Sequence, residues 1–272
     1  MKGVTNMSRL KICTARILEL TILFMLIATP SHAATRLFQD GFESGNTNNW
    51  GTATGTVTTS NPKTGSYCVA IDYTQGTQAM IKSLGASAPT DEFYVKFWVR
   101  IGNNYHAPYL GFKWMRLKHG QTDGIQTEFY LNSESWSSSG HSYQTGQSSL
   151  DSPNTRWSWY SNGHWNDEAW HKIEVFGKYN TNSCANGICR IWFDDVLRFE
   201  KTSYTWRTGT WANDIFRLFY IPSNGGDGTH KAQSGDIVYY DDIEIWDGMP
   251  TAEEPTKSIS GCGLSGCSIG GD

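Results

Sequence analysis

Hydrophobic and polar residues alternate along many short segments of this chain. In residues 93–101, FYVKFWVRI, every odd position from Phe93 to Ile101 is apolar, while the even positions include Trp98 and Arg100. A period of two is the pattern of a β-strand with one buried face. The same pattern predicts strands at 125–132, 171–180, 189–193, 215–221 and 237–246.

The residues between these segments favour turns, since they are rich in Gly, Asn, Ser and Thr. Residues 133–170 are polar and rich in Ser and Trp, which predicts long loops. Many short strands separated by turns predict an all-β fold, a β-sandwich of the jelly-roll type. The 12 Trp, 13 Tyr and 28 Gly among 272 residues agree with a β-protein and disfavour a helical bundle.

The first 33 residues have the organisation of a signal peptide. Basic residues, among them Arg9, Lys11 and Arg16, precede an apolar run at 20–28, and Ser31 and Ala33 supply the small side chains of a cleavage site. The run is too short to span a bilayer. We therefore expect residues 1–33 to be removed and the protein to be secreted or periplasmic, without stable insertion in a membrane.

Two further parts come after the predicted signal peptide. We expect residues 34–249 to form the jelly-roll domain, and residues 250–272, rich in Gly, Ser and Cys, to form a flexible tail. The formal charge of the whole chain is −4. A nucleic-acid partner is disfavoured, because binding phosphates needs a basic face. We expect a monomer whose partner is a polysaccharide.

The cysteines predict two local disulfides, as suits an exported protein. Cys184 and Cys189 flank an Asn-Gly turn signal, and Cys262 and Cys267 form a second close pair in the tail. Cys68 is left over, and we interpret it as a small buried side chain rather than a reactive thiol.

Large rings and cations occupy positions opposite the predicted core. A solvated sheet surface would carry fewer large rings, whereas a sugar presents C–H patches to aromatic faces and hydroxyls to polar groups. We therefore predict substrate binding by five residues, namely Trp98, Arg100, Trp114, Trp192 and Arg217. The strip GFKWMRLKHG at 111–120 has no clean apolar face, so parity does not decide which of its side chains face a cleft.

Several motifs resemble one family of secreted enzymes. They are AWHKIEVFGKYNT at 169–181, GICRIWFDDVLRFEKTSYTWRTG at 187–209, DIFRLFYIPSNGGDG at 214–228 and GDIVYYDDIEIWDG at 235–248. In this order they resemble the concanavalin A-like sandwich of polysaccharide lyases, notably the alginate and glucuronan lyase group and its heparin lyase-like relatives. The likeness covers about residues 90–247, and it implies a jelly roll acting on a uronate-containing polysaccharide.

The resemblance also implies roles for single residues. YLGFKWMRL at 109–117 is similar to the family's Gly-Gly-Lys strand and puts Lys113 at the position of its lysine. The family's next strand carries an arginine and a Tyr-x-Tyr pair. Here that stretch is IQTEFYL, with Gln126 and Glu128 instead and Tyr130 aligned, so either the sugar carboxylate is neutralised differently or catalysis has been lost.

A β-eliminating lyase must stabilise the uronate carboxylate, remove the C5 proton and protonate the departing oxygen. We predict that the residues for these tasks come from Lys113, Arg116, Gln126, Tyr130, Lys178 and Asn180. For Lys113, a solvated lysine is an equal alternative. Strand parity would let Lys178 and Asn180 face the cleft together.

Two other functions stay open at this point. A non-catalytic carbohydrate-binding module on the same fold would need the rings without the acid and base. A glucanase-type hydrolase would need paired carboxylates, and the chain lacks the Glu-x-Asp-x-x-Glu motif of related glucanases.

Acidic residues near both ends of the domain suggest a structural calcium ion. QDGFESG at 39–45 and YYDDIEIW at 239–246 resemble the paired terminal strands of carbohydrate-binding jelly rolls. The oxygens of Asp40, Glu43 and Asp242 suit this hard cation. A plain turn and hairpin carboxylates are the alternative.

Overall fold

The computed structural model describes residues 33–72, 80–101, 112–119, 128–133, 141–144, 156–159, 167–181, 184–207, 215–221 and 237–251. For 112, 113, 119, 128–133, 141–144 and 156–159 the description is limited to the backbone. By its contacts the chain divides into residues 1–33 and 34–272, and the strands and the site belong to the second unit. In the described segments, no helix has the length and apolarity needed to cross a membrane.

Fifteen strands form this part of the chain. They are β1 Arg36–Asp40, β2 Thr52–Ala53, β3 Thr56–Thr58, β4 Cys68–Asp72, β5 Met80–Ser83, β6 Glu92–Ile101, β7 Phe112–His119, β8 Glu128–Ser133, β9 His141–Gln144, β10 Arg156–Trp159, β11 Trp170–Lys178, β12 Gly187–Phe193, β13 Val196–Tyr204, β14 Phe216–Tyr220 and β15 Ile237–Trp246. The all-β prediction is confirmed. The prediction of only loops in residues 133–170 is wrong, because β9 and β10 lie there and pair antiparallel.

Two antiparallel sheets form a sandwich. The eight-stranded sheet has the order β13-β12-β11-β6-β15-β4-β3, with β1 also paired to β15. The five-stranded sheet has the order β2-β5-β14-β7-β8. The inner faces meet through ring contacts such as Phe93 with Phe216, whose centroids lie 5.7 Å apart. The Tyr240 hydroxyl also approaches the Trp114 carbonyl oxygen at 3.5 Å.

The alternation in the sequence produces the inner face of the eight-stranded sheet. All five odd positions of β6, from Phe93 to Ile101, are buried, as predicted for this strand. Ile173 and Val175 of β11 extend the same core. In β15 the period breaks, because the pairing with β6 shifts register between Asp241 and Glu244.

The break in β15 has a local backbone cause. Asp242 has a φ of 46°, and the core positions change from Val238 and Tyr240 before it to Ile243 and Ile245 after it. An extra residue in one strand of an antiparallel pair reverses which parity faces the core. The bulge therefore keeps both halves of this strand on the same core.

The predicted disulfide between Cys184 and Cys189 is wrong. Cys189 lies in the core on β12, while Cys184 is exposed in the preceding turn, and no disulfide bond joins cysteines within the described ranges. The inward parity of Cys189 explains this, because it directs the side chain away from the surface turn. Cys262 and Cys267 lie outside the described residues. Cys68 is buried, as predicted.

Candidate active site

Two cations and a tyrosine lie together on the outer face of the five-stranded sheet. Leu117 of β7 and Phe219 of β14 are paired in register and both belong to the core. Their neighbours therefore face outward, because successive side chains of a strand alternate between faces. Arg116 is paired with Tyr220, and Lys118 is the next outward residue of β7. We call the patch formed by Arg116, Lys118 and Tyr220 the cationic face.

The two cations of the cationic face approach the same ring. The Arg116 Cζ atom lies 5.4 Å from the centroid of the Tyr220 ring, and the Lys118 Nζ atom lies 5.2 Å from it. Lys118 is only 4% exposed and Tyr220 only 5%. Cation–π contacts of this kind contribute about 0.5 to 2 kcal/mol each, more when desolvated. They fix the positions of both charges on the sheet.

The sequence interpretation included Arg116 but missed Lys118 and Tyr220. The signal for Lys118 was its spacing of two from Arg116, which places both on one face of a strand. The signal for Tyr220 was hidden, because the pairing of β14 with β7 shifts register between Phe216 and Leu218. Pairing across strands brings these residues together, and a single strand's pattern does not reveal it.

Three other predicted catalytic residues belong to this region of the chain. Lys113 of β7 is paired with Asn132 of β8, and Tyr130 of β8 is paired with Arg116. Tyr130 therefore occupies the strand position beside Arg116, opposite Tyr220. The side chains of Lys113 and Tyr130, and all of Gln126, lie outside the described residues.

Lys178 and Asn180 do not face a cleft together, which corrects the prediction from parity. Lys178 lies at the end of β11 in the eight-stranded sheet and binds Glu92, with Nζ 2.8 Å from Oε1. This hydrogen bond raises the pKa of Lys178, which disfavours the neutral amine that a base needs.

Asn180 is fully buried and has a structural role. Its Oδ1 accepts hydrogen bonds from the backbone N–H groups of Trp206 and Arg207 at 2.8 and 2.9 Å. Its Nδ2 donates to the carbonyl of Arg207 at 2.8 Å. These bonds hold the chain after β13 against the end of β11, and none of them points to a substrate.

Three predicted sugar-binding residues lie on the other sheet. Trp98, Arg100 and Trp192 belong to β6 and β12 and are partly exposed. The Lys63 Nζ atom covers the ring of Trp98 at 4.0 Å. The Arg100 guanidinium packs on the ring of Tyr239, with Cζ 3.9 Å from its centroid, and donates to the Ser60 carbonyl. They do not join Arg116 in one site.

The positions of Trp114 and Arg217 do not fit their predicted role in sugar binding, each for a different reason. Trp114 is fully buried and packs near Phe193, with centroids 6.4 Å apart, so its ring does not stack on a sugar. Trp114 and Met115 are consecutive and both buried where the pairing of β7 with β8 shifts register, which explains why neither face of this strip was clean. Arg217 donates to the carbonyl of Gly85 at 2.9 Å and braces the turn after β5.

The three predicted calcium ligands do not form one cluster. Both Asp40 oxygens accept hydrogen bonds, from the Phe42 N–H and the Trp50 indole N–H at 2.8 and 2.9 Å. Among the residues that the structure describes, no set of three or more His, Cys, Asp or Glu side chains is arranged to hold a metal ion.

Glu43 and Asp242 instead hold one loop. Glu43 accepts from the backbone N–H groups of Ser66 and Tyr67, and Asp242 accepts from the Thr64 hydroxyl. Both carboxylates therefore contact the segment 64–67. The calcium site stays a prediction.

Comparison with known proteins supports the architecture. The chain aligns with an endo-β-1,4-glucuronan lyase from the fungus Trichoderma reesei at 16% identity and a TM-score of 0.55, over 80% of this chain and 96% of that one. The fold is a β-sandwich of the jelly-roll type. No family model matches the sequence, and no curated protein matches it.

Two further structures share the fold. One is the cellulose-induced protein Cip1, at 14% identity and a TM-score of 0.50, over 76% of this chain and 96% of that one. The other is the binding domain of Paraclostridial Mosquitocidal Protein 1, at 11% identity and a TM-score of 0.51, over 79% of this jelly-roll chain and 49% of that one.

Proposed function

We propose that this jelly roll is a polysaccharide lyase that cleaves an acidic, uronate-containing polysaccharide by β-elimination. The observation that carries the proposal is the cationic face, where Arg116 and Lys118 flank one tyrosine ring. The glucuronan lyase of the same fold supports the choice of reaction.

The cations have a defined task in such a reaction. Removing the C5 proton of a uronate places negative charge on the adjacent carboxylate, and fixed cations lower the barrier by stabilising that charge. Arg116 presents a planar fork that matches a carboxylate, and Lys118 adds a second charge beside it. These two residues take the place of the family arginine, where this chain has Gln126.

Proton transfer requires further groups. A base takes the C5 proton, the C4–O bond breaks, the electron pair forms a C4=C5 double bond, and an acid protonates the departing oxygen. Tyr130, Tyr220 and Lys113 are the candidates, because β7, β8 and β14 bring their positions next to Arg116 or onto its strand. A tyrosine serves as acid at neutral pH because its ordinary pKa lies near 10.

The test follows the ultraviolet absorbance of the conjugated uronate, which only elimination creates. The purified protein is mixed with glucuronan, alginate or heparin, and the rate is compared for Arg116→Ala, Tyr220→Phe and the control Arg190→Ala. Arg190 is a surface arginine on the other sheet, paired with Glu200. We expect Arg116→Ala to reduce kcat/KM by about 100- to 1,000-fold.

The results separate the proposal from its alternatives. Unchanged activity in Arg190→Ala with loss in Arg116→Ala supports it. Absence of a new chromophore with every polymer, or full activity in Arg116→Ala, overturns it.

A non-catalytic binding module is the second candidate function. The same sandwich occurs in a structure described as a binding domain, and the replacement of the family arginine by Gln126 favours this alternative. Retarded migration in a gel that contains a uronate polymer, without a new chromophore, would identify a binding module.

A further inference from the structure

A row of aromatic side chains crosses the outer face of the eight-stranded sheet. Phe176 of β11 pairs with Tyr94 of β6, and Tyr94 pairs with Trp246 of β15. Arg36 of β1 continues the row beyond Trp246, with its Cζ atom 5.4 Å from the ring. Paired residues lie side by side on one face, so these four span three strand spacings of about 4.8 Å each.

A row of charged side chains runs beside the aromatic row. Glu174 of β11 pairs with Lys96 of β6, and Lys96 pairs with Glu244 of β15. Each of these residues lies two positions along its strand from a ring of the first row, so both rows share the outer face. Each of these three strands therefore places an aromatic side chain next to a charged one on the outer face.

Hydrogen bonds tie the two rows together. The Trp246 indole N–H donates to Oε2 of Glu244 at 2.9 Å, and Lys96 Nζ lies 2.9 Å from Oε1 of the same carboxylate. The Tyr94 hydroxyl donates to Glu174. Burial, then this hydrogen bond, raise the pKa of Tyr94, so the hydroxyl remains a donor at neutral pH. The side chains are held in place before any ligand arrives.

These rows line a cavity of about 730 Å³. Its walls include Arg36, Tyr94, Lys96, Glu174, Glu244 and Trp246, which we call the outer groove. The Glu174 and Glu244 side chains are only 13% and 12% exposed. Charged side chains on a solvated sheet surface are mostly exposed, so the side chains of Glu174 and Glu244 lie below the rim of the groove.

The charges in and beside the outer groove balance, because the three cations Arg36, Lys96 and Lys172 meet the three carboxylates Glu174, Glu244 and Asp195. Lys96 is paired with Glu244, and Lys172 is paired with Glu174, with a distance of 3.2 Å between Nζ and Oε2. A polyuronate would meet two carboxylates here, and like charges repel. A neutral sugar would meet acceptors in the glutamates, donors in the lysines and an apolar platform in Trp246. The groove fits hydroxyls and C–H faces better than a carboxylate.

We propose that the outer groove is a second binding site, which takes a neutral oligosaccharide and lies on the sheet opposite the cationic face. The site is independent of the proposed lyase activity. It would hold the protein on a neutral polymer while the cationic face meets an acidic one.

The experiment is gel retardation of the full chain in native gels containing xylan, glucomannan, hydroxyethylcellulose or alginate. The variants are Trp246→Ala, which removes the platform, and Glu244→Gln, which keeps the shape and removes an acceptor charge. Trp170→Ala is the control, because this ring lies at the start of β11 and outside the cavity walls. Thermal melts establish that each variant is folded.

We expect at least one neutral polymer to retard the wild type, with Kd about tenfold higher for Trp246→Ala and for Glu244→Gln, and unchanged for Trp170→Ala. Arg116→Ala should bind the neutral polymer normally, which separates this site from the cationic face. Failure of every neutral polymer to retard the wild type overturns the proposal. The proposal is also overturned if folded Glu244→Gln binds the neutral polymer as well as the wild type. It is overturned as well if alginate alone retards the wild type and Trp246→Ala abolishes that retardation.

Discussion

At the residue scale, Gly177 occupies a position of β11 where a side chain does not fit. A Cβ atom there would lie 2.2 Å from Cζ of Phe93 and 2.9 Å from Cζ2 of Trp206. Both rings belong to the core, and overpacking a core typically costs about 1 to 3 kcal/mol. We expect Gly177→Ala to lower the free energy of unfolding by that amount, measured by urea denaturation.

Gly51→Ala is the matched control. Its Cβ would lie 3.5 Å from the Ile81 carbonyl oxygen, an ordinary contact. Equal stability of the two variants would contradict the close packing of Phe93 and Trp206 against Gly177.

The cysteines give a second test at this scale. Burial, then the nearby Asp241 carboxylate, raise the pKa of Cys68 to about 11. The thiolate is the form that reacts, so at pH 8 Cys68 is protonated as well as buried. We expect iodoacetamide to label the exposed Cys184 in the native protein without reductant and to label Cys68 only after unfolding, as measured by peptide mass spectrometry. Labelling of Cys184 only after reduction would restore the predicted disulfide.

At the element scale, two residues at the end of β11 have different roles: Asn180 is buried and structural, whereas Lys178 lies on the surface. Asn180→Ala would leave the backbone groups of Trp206 and Arg207 without their acceptor and donor. Unsatisfied buried groups cost about 1 to 3 kcal/mol each, so we expect a loss of about 2 to 4 kcal/mol. Lys178→Met should change stability by less than about 1 kcal/mol, because its ion pair is partly exposed.

Urea denaturation and the elimination assay together distinguish these roles. If Lys178→Met lost activity while remaining folded, Lys178 would belong to the catalytic machinery after all.

Single-strand periodicity predicted the elements that pair regularly. The alternation of β6, β11 and β12 gave their buried faces, because the inward positions of β6 are all apolar and those of β11 and β12 include Ile173, Val175 and Ile191. It did not predict the bulge of β15, where two consecutive aspartates reverse the parity. In β7 the buried pair Trp114 and Met115 concealed the outward face. Irregular pairing depends on a partner strand, which local sequence does not specify.

The site was predicted less well than the fold for the same reason. Arg116 was found from chemistry alone, but its partner Tyr220 comes from β14, about a hundred residues later in the chain. Trp98 and Trp192, which were predicted to bind the sugar, lie on the sheet opposite Arg116. The family resemblance implied an acidic sugar, whereas sheet order decided which side chains meet.

At the scale of the whole molecule, the two sheets present outer faces of different electrostatic character. The cationic face carries Arg116 and Lys118 beside one tyrosine ring, and the outer groove carries Lys96 and Lys172 beside Glu244 and Glu174. Raising the salt concentration from 0.1 M to 1 M shortens the Debye length from about 10 Å to about 3 Å. Screening weakens the attraction between a polyuronate and the two cations, and it affects a neutral ligand little.

We therefore expect 1 M NaCl to raise Kd for the uronate polymer about tenfold or more and to change Kd for the neutral polymer less than about twofold. Affinity gels at both salt concentrations measure this, and Arg116→Ala should lose about half of the salt dependence because it removes one of the two charges. Equal salt sensitivity for the two polymers would mean that both bind through one charged surface. The assignment of the uronate polymer to the cationic face and of the neutral polymer to the outer groove would then be wrong, even if each polymer were bound.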